Sequence, residues 1–419
     1  MPPLSLARPV SIGAIIVACI TGCTDGNNAS PLTGPVAPLP ALSSPHASAS
    51  LADVILVADV EQLYAAINDP ANDGAMLLLA PGTYVLSAKT ASGANRPNAG
   101  RLELREDMSV SGVAGDRAAV VIDATGLPQS SFTMSFGRTG VFRTGQGSNA
   151  IEWLTIAGNP LAAAAIETEL VGNPPEARVR VAHVVAGNSA RGVDVRNVGA
   201  AMAGRRLHAE IIDNEFFRGV EGIRVANFVG AHGGDISVIM SGNRSYQNVL
   251  GCIVESNRSN SGTIYVRSSG DRFEDNGLGC QIGAGLASSA TADSNSTVFD
   301  CHGSHFSNNR RTAFFNNTGP DFQHFGGVLV AAGDVIATGG AAATSNNAVA
   351  MRLWGCKVEA NQNADFEAYG AQSRDPAKIA GVDNHTTIEL HGVSKRIDVL
   401  SVNSSPVDPS GSNTSTVIR

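Results

Sequence analysis

The sequence predicts an all-β chain: a right-handed parallel β-helix solenoid with a short N-terminal capping helix. Three observations predict it. The chain carries 46 Gly and many Asn, Ser and Val, yet only 16% of its 419 residues are charged. Val, Ile and Thr favour strands, and Gly and Asn favour the turns between them. Short alternating apolar runs separate those turns, so each strand has one face for a core. A turn signature also returns at a nearly regular interval, as the coils of a solenoid require.

The first segment reads as a targeting signal rather than as part of the fold. Arg8 is followed by Ser11 to Ile20 (SIGAIIVACI), which is too short to span a bilayer as a mature helix. It ends in Ile20-Thr21-Gly22-Cys23, which resembles a bacterial lipobox. That resemblance implies lipidation of Cys23, with residues 1–23 as the signal. The following residue is Thr24 and not Asp, which by the same resemblance favours the outer membrane. Residues 24–52 are rich in Pro, Ser and Ala and read as a flexible tether. A net charge of -8 excludes a nucleic-acid partner held by a basic stripe, so the lipid anchor is the one expected membrane contact.

The folded domain is expected over 53–400, with 401–419 as a C-terminal tail. Asp59 can cap a helix, with Gln62 three residues on as in a capping box. Leu63, Ala66 and Ile67 form its apolar face, and Asp69-Pro70 stops it. Ala75 to Leu79 and Thr83 to Leu86 then read as strands around Pro81-Gly82. This helix, with its AINDP and LAPGTY runs, resembles the N-terminal cap and first coil of the pectate-lyase-like β-helix superfamily. The resemblance implies the fold, and a polysaccharide lyase, hydrolase, epimerase, tailspike or adhesin as the range of activities.

The repeat is carried by Asn214, Asn243, Asp271, Ser304 and Cys356, at steps of 29, 28, 33 and 52 residues. The last step is one long coil or two. The Asn or Asp at this turn tolerates left-handed geometry, and stacked Asn amides can form a ladder. Alternation points Val238, Met240, Val266, Ser268, Phe299, Cys301, Met351 and Leu353 inward before the turn. After it, Val193, Val195, Ile223, Val225, Cys252, Val254, Cys280, Ile282 and Phe315 point inward. Cys252 and Cys280 should therefore stack on neighbouring coils. Buried Cys behaves as a small hydrophobe, although export leaves a disulfide open, with three pairings among Cys252, Cys280, Cys301 and Cys356.

Chemistry belongs on outward ladders, because the interior is packed. Before the turn these read Glu210, Ile239, Arg267, Asp300 and Arg352, with Tyr265, His302 and Trp354 beside them. Arg and carboxylate next to aromatic rings suit an acidic sugar. After the turn they read Asp194, Arg196, Arg224, Glu255, Gln281, Asn316, Glu367 and Tyr369. Arg267, Asp300, His302 and Arg352 are the candidate catalytic residues; Tyr265, Trp354, Glu255 and Arg224 are the candidate substrate-binding residues. β-Elimination from a uronate needs one base and a group to neutralise the carboxylate, and this set supplies both. Glycoside hydrolysis needs two carboxylates close together, and Glu210 and Asp300 lie three coils apart, ~14 Å. The blocks of polygalacturonase-like hydrolases are absent. No cofactor or metal ligand set is evident: no Cys/His spacing suggests zinc, and no acidic triad supports Ca²⁺.

Two functions remain open: an envelope lipoprotein that binds or degrades an acidic polysaccharide, and a non-catalytic surface scaffold or adhesin-like protein. The anchor is tested first by Cys23→Ala. This variant is expected to leave the membrane fraction or to stay unprocessed, and unchanged fractionation contradicts the lipidation of Cys23.

Overall fold

The computed structural model describes residues 54–132, 140–158, 163–170, 175–199, 203–228, 230–287, 291–310, 326–335, 343–373, 381–393, 397–405 and 411–419. The signal, Cys23, the tether, Phe315 and Asn316 lie outside the described residues.

Each coil contributes three strands, such as Arg206–Ile212, Glu215–Phe217 and Glu221–Phe228. Equivalent strands stack into parallel sheets of twelve, nine and ten strands. The chain is thus a right-handed parallel β-helix. Successive coils pair in sequence order, so a side chain repeats its neighbour's direction one rung, ~4.8 Å, further along. The 52-residue step is a single long coil, because Ser296–His302 pairs directly with Ala348–Trp354.

The interior is one continuous apolar core. All the described residues assigned inward from alternation are buried, Ser268 and Cys301 included. Cys252 and Cys280 are paired neighbours on adjacent rungs.

Polar side chains pin the corners. The Asn214 side chain accepts from the Val184 amide at 2.8 Å and donates to the carbonyl of Val181 at 3.0 Å. The Asn243 side chain does the same for the amide of Asn214 and the carbonyl of Ile211, and Asp271 accepts from the amide of Asn243. A second ladder, Asn248, Asn276, Asn309 and Asn361, lines the next corner. A third, Asn295, Asn347, Asn384 and Asn413, lines the last. Buried backbone N–H groups that no strand could satisfy at a bend find partners this way. The left-handed residue at the first corner is not the ladder Asn but the one before it: Asp213 (φ 52°), then Gly242 (φ 68°) and Gly270 (φ 65°). The ladder residue must aim its amide inward, so its neighbour takes the strained dihedral.

Asp59 caps the helix Val60–Asn68 by accepting from the Gln62 amide at 2.8 Å, and Gln62 Oε1 accepts in return from the Ala58 amide. Leu63, Tyr64, Ala66 and Ile67 bury against the first coil. A strand the sequence reading did not place, Val54–Val57, precedes the helix and pairs with Met76–Leu79. The C-terminal boundary is corrected as well. Residues 401–419 are not a tail, since Val399–Ser405 extends the ten-stranded sheet and Thr414–Ile418 the twelve-stranded one. Their Ser and Thr residues look like linker composition, yet Val399 and Val417 pack on the core and Asn413 closes the third ladder.

Asp271 is the carboxyl rung that follows the amides of Asn214 and Asn243. Burial pushes its carboxyl up to about 6, against the lowering effect of hydrogen bonds from Ser268 and Asn243. The folded state therefore holds the proton more tightly than the unfolded chain, whose value is near 3.8. This group favours folding most below about pH 4, and the benefit is lost as pH rises to about 6. Asp271→Asn restores the amide found at Asn214 and Asn243. It is expected to stabilise the fold at pH 7.5 by roughly 1–3 kcal/mol, with the gain shrinking toward pH 4. Urea unfolding at the two pH values checks this, and no gain at pH 7.5 contradicts it.

Candidate functional site

The predicted outward patch is contiguous, and it lies on the twelve-stranded sheet. Strand register places Ile239, Arg267, Asp300, Arg352 and Glu389 in one column on successive rungs. A second column, two residues along the strands, holds Ser269, His302, Trp354 and His391. Tyr265 stands on the other side of Arg267 on the same strand.

Asp300 is the hub. It accepts from the Tyr265 hydroxyl at 2.7 Å and pairs with Arg352 at 3.4 Å. Arg352 also reaches Glu389 at 3.4 Å, so one guanidinium is shared by two carboxylates. Burial, and then the bond to Asp300, push the Tyr265 phenol up to about 12, so it remains a donor at any working pH. Arg267 is exposed and makes no ion pair among the described residues. The aromatic column is stacked throughout: His302 on Trp354 with centroids 4.5 Å apart, and Trp354 on His391 at 5.4 Å. Glu389 and His391 were missed in the sequence. Their strand, His385–His391, follows a connection without the repeat's turn spacing, although the alternating HTTIELH pattern carried the signal that would have found them.

Arg224 and Glu255 do not join this patch. They lie on the ten-stranded sheet, bonded to each other at 2.8 Å and buried. Around them Arg143, Glu167, Glu169, Asp194 and Arg196 form one buried ionic row. Alternation directs these side chains away from the core, as predicted, but it does not say what covers them. Only Asp213 and Asn214 separate the first two strands of that coil, and 218–220 the next two, whereas 199–205 lead from the ten-stranded sheet to the next coil. Phe228 additionally lies over the Arg224 guanidinium at 4.6 Å. The row's carboxyls shift in opposite directions. Burial raises the Glu255 and Glu169 carboxyls, with nearby arginines opposing. At Asp194 burial is outweighed by Arg196, Arg191 and Arg224, which hold it below the usual range. Among the described residues both Asp194 oxygens and Glu255 Oε2 lack a hydrogen bond, and Asp194 is held by ion pairs to Arg196 and Arg224.

Among the described residues no group of three or more His, Cys, Asp or Glu is placed to hold a metal ion. No helix is long and apolar enough to cross a membrane among the described residues.

No family model and no curated protein matches the sequence. Solved structures similar to the chain include the A-module of the Azotobacter vinelandii mannuronan C-5 epimerase AlgE6, at 18% identity and a TM-score of 0.34, over 85% of this chain and 93% of that one. A rhamnogalacturonan lyase is similar at 12% identity and a TM-score of 0.39, over 80% of each chain. The catalytic domain of a GH87 alpha-1,3-glucanase is similar at 12% identity and a TM-score of 0.32, over 90% of this chain and 70% of that one. The right-handed parallel β-helix expected from the N-terminal resemblance rests on the chain's own strand pairing.

The two rows should respond oppositely to loss of an arginine. Arg224→Ala leaves Asp194 and Glu255 buried without their shared cation, and is expected to cost about 3–5 kcal/mol. Arg267→Ala removes an exposed, unpaired charge and is expected to change stability by less than about 0.5 kcal/mol. Equal effects in chemical denaturation contradict this division into a buried and a solvent-facing row.

Proposed function

We propose that the protein binds an acidic polysaccharide along the outward face of the twelve-stranded sheet, as an envelope lipoprotein held by Cys23. One observation carries the reading: the stacked His302, Trp354 and His391 column runs beside the Arg267, Asp300, Arg352 and Glu389 column. A pyranose ring laid on Trp354 buries its apolar face, and its substituents then fall over the charged column ~6.6 Å away. Among the described residues Arg267 pairs with no carboxylate, so a uronate carboxylate is a partner it can take. Arg352 can exchange one of its two long contacts for the same group.

Asp300 is poorly suited to act as a base, because the Tyr265 hydroxyl and Arg352 already occupy it. In a β-elimination at this site His302 takes the proton while Arg267 or Arg352 neutralises the carboxylate. A second reading places chemistry on the ten-stranded sheet. It is favoured by the opposite shifts of two carboxyls that both face Arg224, Glu255 raised by burial and Asp194 held low by its arginines.

The experiment is a panel of uronate polysaccharides, with affinity and the ultraviolet absorbance of an unsaturated product followed together. Arg267→Ala and Trp354→Ala are each expected to weaken binding about tenfold, which is about 1.4 kcal/mol. Turnover lost in His302→Gln but kept in Glu255→Gln supports elimination at the patch, and the reverse supports the ten-stranded row. Binding unaltered by both Arg267→Ala and Trp354→Ala contradicts the proposal and leaves the scaffold reading.

A further inference from the structure

Four cysteines stand among the described residues, all buried, and they form two pairs of different geometry. Cys252 and Cys280 are in-register neighbours whose side chains leave adjacent parallel strands in the same direction. Such strands lie ~4.8 Å apart, wider than the ~3.8 Å between Cβ atoms that a disulfide prefers. Cys301 and Cys356 differ. Cys301 sits in the inward column of Ser296–His302, whereas Cys356 occupies the first corner, one rung on, where the ladder residue stands. The approach is therefore diagonal, and their sulfurs are 3.1 Å apart, closer than two unbonded sulfurs settle without a hydrogen bond.

The corner explains why. In earlier coils the ladder Asn donates back to the carbonyl of the inward residue one rung before, as Asn214 does to Val181 and Asn243 to Ile211. The Cys356 thiol makes the same contact with the carbonyl of Cys301, at 3.3 Å. The ladder thus passes from Asn214, Asn243 and Asp271 through Ser304 to a thiol, and that thiol lies against a second one. A hydrogen-bonded rung has been replaced by a pair of groups that can join covalently.

We infer that Cys301 and Cys356 form a disulfide, while Cys252 and Cys280 remain thiols. Joining them requires the sulfurs to close by about 1 Å, to the ~2.05 Å of the bond. The co-reactant is an oxidised disulfide, from a thiol–disulfide oxidoreductase or glutathione. The Cys356 thiolate attacks it and displaces one thiolate, and Cys301 then displaces the second. The two protein thiols give up two protons and two electrons, and the oxidant leaves as two thiols. Because both sulfurs are buried once the coils have stacked, the exchange belongs to folding rather than to the finished fold. The link ties together the two rungs that carry Asp300 and His302 on one side and Arg352 and Trp354 on the other. It bridges the long coil, where the repeat is most interrupted. The inference is independent of the glycan reading.

The test refolds the full chain in a mixture of oxidised and reduced glutathione, then alkylates free thiols in denaturant. Trypsin leaves Cys280 and Cys301 on one peptide, 273–310, so a second cleavage after Phe299 is needed to separate them. The expected product joins a Cys301 peptide to a Cys356 peptide, with Cys252 and Cys280 alkylated. Four alkylated cysteines, or any other pairing, overturn the inference. Cys356→Ser keeps a corner hydroxyl like that of Ser304 and supplies the second readout. Reductant is expected to lower the thermal midpoint of the wild type but not that of the variant, and an equal response in both overturns the inference.

Discussion

The structure depends on registry between coils, and registry depends on what happens at the corners. Strand pairing alone does not prevent a parallel rung from sliding by two residues, because inward and outward faces would be preserved. A buried amide that must accept from one specific backbone N–H and donate to one specific carbonyl forbids the slide. Ladders at all three corners impose the same register on each sheet. Asp271 shows how strong that constraint is: a carboxyl occupies the position although burial pushes its pKa up to about 6. The Ser268 hydroxyl compensates by donating to that carboxyl, while Ser304 bonds the Ser268 hydroxyl and accepts from the Asp271 amide.

Registry is also what makes a surface site out of residues far apart in sequence. Arg267, Asp300, Arg352 and Glu389 come from four coils, and only registry sets them side by side, each with one aromatic partner of the site on its own strand: Tyr265, His302, Trp354 and His391. The fold then separates two kinds of ionic row. On the twelve-stranded sheet the charges are partly exposed, shared and incompletely paired. On the ten-stranded sheet they are buried against one another. Buried pairs of this kind add little net stability, since desolvation offsets their attraction, yet they fail badly when one member is removed. Retaining so many on one sheet face fits a site whose electrostatics matter more than its stability.

The parts legible in the sequence were those governed by local periodicity. The Asn214, Asn243 and Asp271 row, the stacking of Cys252 on Cys280 and the inward columns follow from the two-residue alternation and the coil step, and the structure reproduces them. The second ladder was equally visible in principle, since Asn248, Asn276, Asn309 and Asn361 recur at the same intervals. Three things were not legible. The step from Ser304 to Cys356 could not be counted as one coil, because inserted residues carry no period. The burial of Arg224 and Glu255 depends on what lies over their face, Phe228 included, and alternation is silent on that. The strands at Val399–Ser405 and Thr414–Ile418 have linker composition and become strands only because a finished edge offers them partners.

Amide hydrogen exchange at the corners tests the central claim most directly. The backbone N–H groups of Asn214, Asn243, Asn276, Asn295 and Asn347 sit at bends, outside any strand ladder, and each is accepted by a side chain of the next coil. If registry rests on these ladders, the amides exchange as slowly as those in strand interiors, and together with them, through global unfolding alone. Exchange at the rate of ordinary turn residues, while the strands stay protected, contradicts the account.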